Sequence, residues 1–299
     1  MRIWTLGNQD FLGQEPAAPE FLQPLNRLMI SRLVLAASCA FAAAAACADE
    51  DRTPRVIAVF PTAAELPANH LKFYIHFSQP MKQGVFLRHC SLRDRDAGVD
   101  VTEPFRETEL WSEDRMRLTL WLHPGRQKTG VNLNVDFGPV LREGHRYVLV
   151  ISGKWPSENG VPLGDDVTKC FRATARATAQ LDTAAWKIER PNAGSSGPLH
   201  AGFPAPLDHA LLLRCLRVLG PDGSAVAGTI STGPSELKWA FTPAKPWRGA
   251  AHTLAVDSIL EDLAGNSLAR PFERDLTAPA PAKRPATINV PFRPADAPK

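Results

Sequence analysis

Phe73-Tyr74-Ile75-His76-Phe77-Ser78-Gln79-Pro80-Met81 decides how this chain is read. Phe73, Ile75 and Phe77 alternate, the mark of a strand with one buried face. The run then breaks at a polar pair, a proline and a large apolar residue, as strands do before a turn. The same figure returns as His200-Ala201-Gly202-Phe203-Pro204-Ala205-Pro206-Leu207.

Working outward, three further pairs keep the same order. Cys90-Ser91-Leu92-Arg93-Asp94 runs into an Asp/Gly turn at Asp96-Ala97-Gly98, and Cys215-Leu216-Arg217-Val218-Leu219 runs into Asp222-Gly223. Leu118-Thr119-Leu120-Trp121-Leu122 and Leu237-Lys238-Trp239-Ala240-Phe241 both alternate with period two and stop near a proline. Tyr147-Val148-Leu149-Val150-Ile151 parallels Thr253-Leu254-Ala255-Val256. Turns at Asn159-Gly160 and Gly265-Asn266 lead to last strands predicted over Lys169–Thr174 and Phe272–Leu276. Many short strands and no long amphipathic helix predict an all-β chain of two tandem β-sandwich domains. The segment from Ala173 to Trp186 reads as the connector, and Pro191–Pro198 as a loop opening the second unit.

These marks resemble the bacterial immunoglobulin-like domain first known from S-layer proteins. Its F-S-x-P-M strand end is met by Phe77-Ser78-Gln79-Pro80-Met81. Its G-x-x-Y-x-L-x-I strand is met by Gly144, Tyr147, Leu149 and Ile151. Its D-x-x-G-N turn is met by Asp262, Gly265 and Asn266. The second unit departs at the first mark, with Phe203-Pro204-Ala205-Pro206-Leu207, and the first at the last mark, with Ser157-Glu158-Asn159-Gly160. The resemblance implies an immunoglobulin-like sandwich serving as an extracytoplasmic scaffold or binding module without catalytic residues of its own.

The N-terminus reads as an export signal rather than a buried Ala-rich helix. Arg32 precedes an apolar run from Leu33 to Ala46, and Ala46-Cys47-Ala48 offers small residues for cleavage before Asp49-Glu50-Asp51. The run is shorter than the about 20 residues a membrane span needs. Residues 1–28 are then an over-extended start, 29–48 the signal peptide, 52–177 the first domain, 186–277 the second, and 278–299 a Pro-rich disordered tail. Cys47 offers a second outcome, because Ala44-Ala45-Ala46-Cys47 resembles a lipoprotein box. Ala stands there where Leu is usual, which weighs against a lipid anchor. The protein is expected to be exported, to the periplasm or beyond, touching membrane only through such an anchor.

Composition bounds the rest. The 299 residues are 44% hydrophobic and 22% charged, with 27 prolines and a net charge of +3 that forms no basic stripe, which argues against nucleic acid. Cleavage would leave three cysteines of five. Cys90 reads as buried and Cys170 as outward, with a Cys90–Cys170 bridge left open. No G-x-S-x-G, H-E-x-x-H, C-x-x-C or phosphate loop occurs. The pairs Glu261-Asp262 and Asp165-Asp166 are adjacent, so on strands they face opposite ways and make poor acid/base couples. The sequence therefore predicts no enzyme, no cofactor and no metal.

The candidate surface lies in the first unit. The stretch from Pro124 to Tyr147 is more than twice as long as its counterpart from Pro243 to Thr253, and long loops on rigid sandwiches often carry function. This insert contributes Arg126, Lys128, Asn132, Asn134 and Asp136, and Trp121 beside it faces away from Leu118, Leu120 and Leu122. Trp121 is either a ligand contact or a contact between domains, and the insert either binds a partner or packs on the second domain. Trp239 reads as a core plug. Trp111, Trp155 and Trp247 either seal sandwich ends or form a sugar-stacking platform. Asp262, Gly265 and Asn266 read as a structural turn rather than a Ca²⁺ site. Three functions follow in order: an envelope scaffold, adhesion or protein-binding module; a polysaccharide-binding protein using exposed Trp; and a periplasmic metal carrier. The last is disfavoured because Asp49-Glu50-Asp51 lacks histidine.

Overall fold

The computed structural model describes residues 53–127, 132–273 and 285–296. The expected start, the signal peptide and Cys47 lie outside these residues, as does Lys128.

The first sandwich holds β1 (Val56–Phe60), β2 (Glu65–Pro67), β3 (Lys72–Phe77), α1 (Phe86–His89), β4 (Cys90–Asp94), β5 (Val99–Asp100), β6 (Leu110–Trp111), β7 (Arg117–Trp121), α2 (Pro124–Gln127), α3 (Asn132–Phe137), β8 (Arg146–Ile151) and β9 (Val167–Thr174). One sheet has the order β1-β3-β7-β6 and the other β2-β9-β8-β4-β5. The second sandwich holds β10 (Lys187–Glu189), β11 (Leu199–Gly202), α4 (His209–Leu212), β12 (Leu216–Leu219), β13 (Gly228–Thr232), β14 (Lys238–Pro243), β15 (His252–Asp257) and β16 (Thr287–Phe292). Its sheets run β10-β11-β14-β13 and β12-β15-β16. The fold is all-β, with helices no longer than one or two turns among the described residues.

Alternation fills each core. Phe73, Ile75, Phe77, Leu118 and Leu120 meet Leu92, Tyr147, Leu149 and Phe171 across the first sandwich. Leu199, Ala201, Trp239 and Phe241 meet Leu216, Val218, Leu254 and Val256 across the second. The tryptophans close these cores instead of forming a platform. Trp155, Trp186, Trp239 and Trp247 are buried, and Trp111 packs edge-on against Trp155.

Two sequence expectations fail at the C-terminal end. Phe272 and Glu273 lie in a bend, not a strand. The Phe272 amide donates to Asn266 Oδ1 at 3.1 Å, and Glu273 pairs with Arg176, so the chain is tied to the turn and not to a sheet. The slot beside β15 is filled instead by Thr287–Phe292, inside the tail expected to be disordered. Ile288, Val290 and Phe292 recur at period two and pack on the second core. Pro291 is tolerated because β16 is an edge strand.

No disulfide joins Cys90 to Cys170, and both thiols are free. β4 and β9 flank β8 on opposite sides, which separates them by about two strand spacings, roughly 9.5 Å. A disulfide tolerates a Cα separation of at most about 7 Å.

Candidate functional site

The insert is built inward. Arg126 is buried, and its guanidinium is spent on backbone carbonyls. Nε donates to Gly138 O at 3.0 Å, Nη1 to Thr102 O and Glu103 O, and Nη2 to Phe137 O and Pro139 O. Asn134 Nδ2 donates to Arg126 O at 2.6 Å. Gln127 is buried as well and donates to His70 O at 2.7 Å. Arg126 therefore ties the insert to itself and to Thr102 and Glu103 of the first sandwich, which corrects its reading as a ligand contact, while Asn134 braces the insert internally. All five guanidinium N–H groups face carbonyls, so none is left for an anion. Asp136 is exposed on α3, with Val135 and Phe137 beside it. Asn132 opens α3.

Trp121 belongs to a different structure. On β3 the inward residues are Phe73, Ile75 and Phe77. The outward ones are Lys72, Tyr74 and His76, which pair with Trp121, Thr119 and Arg117 of β7. That outward face is covered by the second sandwich. Lys72 Nζ sits 5.0 Å from the centre of the Trp121 ring, 3.0 Å from Asp208 Oδ2 and 3.3 Å from Glu261 Oε2. Tyr74 donates its hydroxyl to both Asp208 oxygens at 2.8 and 2.9 Å. Asp208 also caps α4, accepting from the Leu211 amide at 2.9 Å. Burial, and then the Asp208 carboxylate, raise the Tyr74 phenol well above its ordinary value, so it remains a donor. Trp121 is half-buried beside Lys72, and it is Lys72 that reaches Asp208 and Glu261 of the second sandwich.

The seam extends to both sides. The Phe60 ring stacks on His209, with centres 3.4 Å apart, and His76 meets Phe60 edge-on. Burial, then His76, lower the His209 pKa to about 4, so the stacked imidazole is neutral near pH 7. Further along, the buried Glu236 carboxylate accepts from the Thr62 amide at 2.9 Å and its hydroxyl at 2.8 Å. The Ser235 amide returns a bond to Thr62 Oγ1 at 2.9 Å. Ser235 and Glu236 hold positive φ angles of 58° and 54°, a costly conformation for side chains with a Cβ. It is kept where the bonds to Thr62 reward it.

The third element is the D-x-x-G-N turn. Asp262 Oδ1 accepts from the amides of Ala264 and Asn266 at 2.8 Å each, and Asn266 Nδ2 donates to Asp262 Oδ2 at 2.9 Å. The turn reaches into the other domain. Leu263 packs in the core of the first sandwich, and Leu263 O accepts from the Leu71 amide at 3.0 Å. Gly265 has φ +82°, and a Cβ there would lie 2.5 Å from Leu71 Cδ1. The two sandwiches thus form a single compact unit. A side groove of about 450 Å³ runs along this seam between Ala63, Pro67 and Ala177 on one wall and Pro206 and Leu237 on the other.

Sequence reasoning missed Lys72, Tyr74, Asp208, His209 and Glu236. The sequence held no signal for them, because Lys72, Tyr74 and His76 read as the polar, solvent-facing side of an alternating strand.

No family model matches the chain, and no curated protein matches it. Among solved structures, an S-layer protein aligns at 12% identity and TM-score 0.29, covering 83% of this chain and 41% of that one. A fragment of Escherichia coli alpha-2-macroglobulin aligns at 12% identity and TM-score 0.27, covering 69% of this chain and 66% of that one. The chain spans about two fifths of the S-layer chain's length. At such scores the fold rests on the chain's own strand pairing. It is a β-sandwich protein.

Proposed function

We propose that the protein is a non-catalytic, exported scaffold of the cell envelope, in which two immunoglobulin-like sandwiches are held at a fixed angle to present binding surfaces to a protein partner. The seam carries this reading. Flexibly linked domains share small, wet contacts and move against each other by default. Here a buried Lys72–Asp208 pair, the Tyr74 and Thr62 hydrogen bonds, and Leu263 inserted in the neighbouring core oppose such motion. Buried ion pairs add little net stability but penalise misalignment strongly, because a lost partner leaves a charge unsolvated. Rigidity suits a spacer or presenting module. The N-terminal charged start, apolar run and A-x-A site support export, and no described helix is long and apolar enough to cross a membrane.

Calorimetry tests the reading. The wild-type protein should unfold in one transition. Asp208→Ala leaves the buried Tyr74 hydroxyl without its acceptor, leaves Lys72 with Glu261 alone and uncaps α4, and should cost about 3–5 kcal/mol and split that transition in two. Two independent transitions in the wild type would overturn the rigid scaffold.

A further inference from the structure

The last strands of the two sandwiches are attached in different ways. In the first, β9 starts at Val167, directly after a turn clamped by Gly153 N to Asp166 Oδ1 at 2.7 Å and Gly164 N to Gly153 O at 2.8 Å. It is also central, bonded to β8 on one side and β2 on the other. β9 cannot leave without dismantling its turn. In the second sandwich the clamped turn ends at Phe272–Glu273, yet β16 starts only at Thr287. β16 is an edge strand bonded to β15 alone within its sheet.

We infer that the edge of β15 is a strand-acceptor site whose partner is the C-terminal strand of a second copy of this chain. The site has a backbone component, the antiparallel register from His252–Phe292 to Asp257–Thr287. It also has a side-chain component, the core positions taken by Ile288, Val290 and Phe292. Phe292 fits between Trp247 at 5.7 Å and His252 at 5.5 Å. Flanking bonds set the end of the strand: Arg293 Nε donates to Gly249 O at 3.0 Å, and the Ala295 amide to Pro191 O at 2.8 Å. Every one of these contacts is reproduced when the strand comes from another copy, so exchange costs little. The positions between Glu273 and Thr287 allow a maximum reach of about 45 Å. That exceeds the roughly 33 Å breadth of a compact domain of about 100 residues, taken as about 2.6 times its radius of gyration. A donated strand would link copies edge to edge, either as a reciprocal pair or as an open chain.

This deepens the scaffold reading by naming its partner as a second copy, and its readout does not depend on the seam. Ala255 and Asn289 face each other across β15 and β16. Full-length Ala255→Cys and Asn289→Cys chains, both with Cys39→Ser, Cys47→Ser and Cys170→Ser, are mixed, concentrated and oxidised. Exchange gives a covalent heterodimer on a non-reducing gel that neither variant yields alone. Light scattering on the unmodified protein should show dimer rising from a few per cent at about 10 μM to on the order of half near 1 mM, the effective concentration typical of a short tether. A mixture that stays monomeric while the double variant closes its disulfide within one chain would overturn the inference. Failure of the double variant to close would overturn it equally, by removing the register on which it stands.

Discussion

Two turns at equivalent places in the two sandwiches do opposite jobs. In the first, Ser157–Gly160 bridges back to Met81 of its own domain. Its second residue, Glu158, turns to solvent and pairs with the exposed Arg115 at 2.5 Å. In the second, Asp262–Asn266 bridges to Leu207 in the same manner. Its second residue is Leu263, and it enters the core of the other domain. The backbone is reused, with Gly160 at φ +84° and Gly265 at φ +82°. One side chain, charged or apolar, decides whether the turn ends a domain or joins two. An apolar group gains roughly 1.5–3 kcal/mol by leaving water, whereas a carboxylate gains nothing there without a partner.

Between the two turns, the largest expected effect of a single truncation comes from removing that side chain. Leu263→Ala should cost about 3 kcal/mol, the range for a buried leucine, and because the two domains unfold together the loss should reach the first domain although the mutation lies in the second. Denaturant unfolding followed through Trp155 checks it. A loss confined to the second domain would break the comparison.

The glycines sharpen it further. Gly160→Ala has open space around the new methyl and should cost about 1 kcal/mol for positive φ alone. Gly265→Ala meets Leu71 at 2.5 Å and Phe272 at 2.9 Å, adding about 1–3 kcal/mol of overpacking. Equal losses in thermal unfolding would show that the second turn is no tighter than the first.

Acid should act on the seam next. His209 titrates near 4 in the folded protein, lowered by burial and by His76, against about 6.5 when unfolded. The unfolded state therefore binds the proton more readily. The contribution of neutral His209 is whole above about pH 6.5 and is lost as pH falls toward 4. The melting temperature should drop over that window. His209→Phe, which keeps the stack on Phe60, should flatten the drop. An unchanged pH profile would detach His209 from the seam's stability.

The smallest effect belongs to the solvent side of the comparison. Arg115→Ala removes the exposed partner of Glu158 and should shift stability by no more than about 0.5 kcal/mol in chemical denaturation. A loss of several kcal/mol would mean that the first turn is also a structural joint.

Much of this was legible in the residues. Period-two runs placed Phe73–Phe77, Leu118–Leu122 and Trp239–Phe241 in strands and chose their inward faces, because side chains on a strand alternate whatever the partner strand is. Asp262 and Gly265 were readable as a turn because an Asx hydrogen bond and a positive φ are local demands. The outward faces were not legible. Lys72 and Arg126 are both cations beside exposed-looking sequence, yet one is buried against Asp208 and the other against five carbonyls. Nothing within a few residues of either sets that environment.

The sequence alone thus determined the all-β class, the strand phases and the turns, which depend on neighbours one to four positions away. Only the tertiary structure decided that Thr287–Phe292 pairs with β15 while Phe272 and Glu273 lie in a bend, that the insert folds inward, and that the two domains are joined through Leu263 and Asp208. Those outcomes depend on which surfaces are desolvated together across separations well beyond local sequence, up to 134 positions for Tyr74 and Asp208. A periodic pattern marks a face as apolar or polar, but not what will cover it.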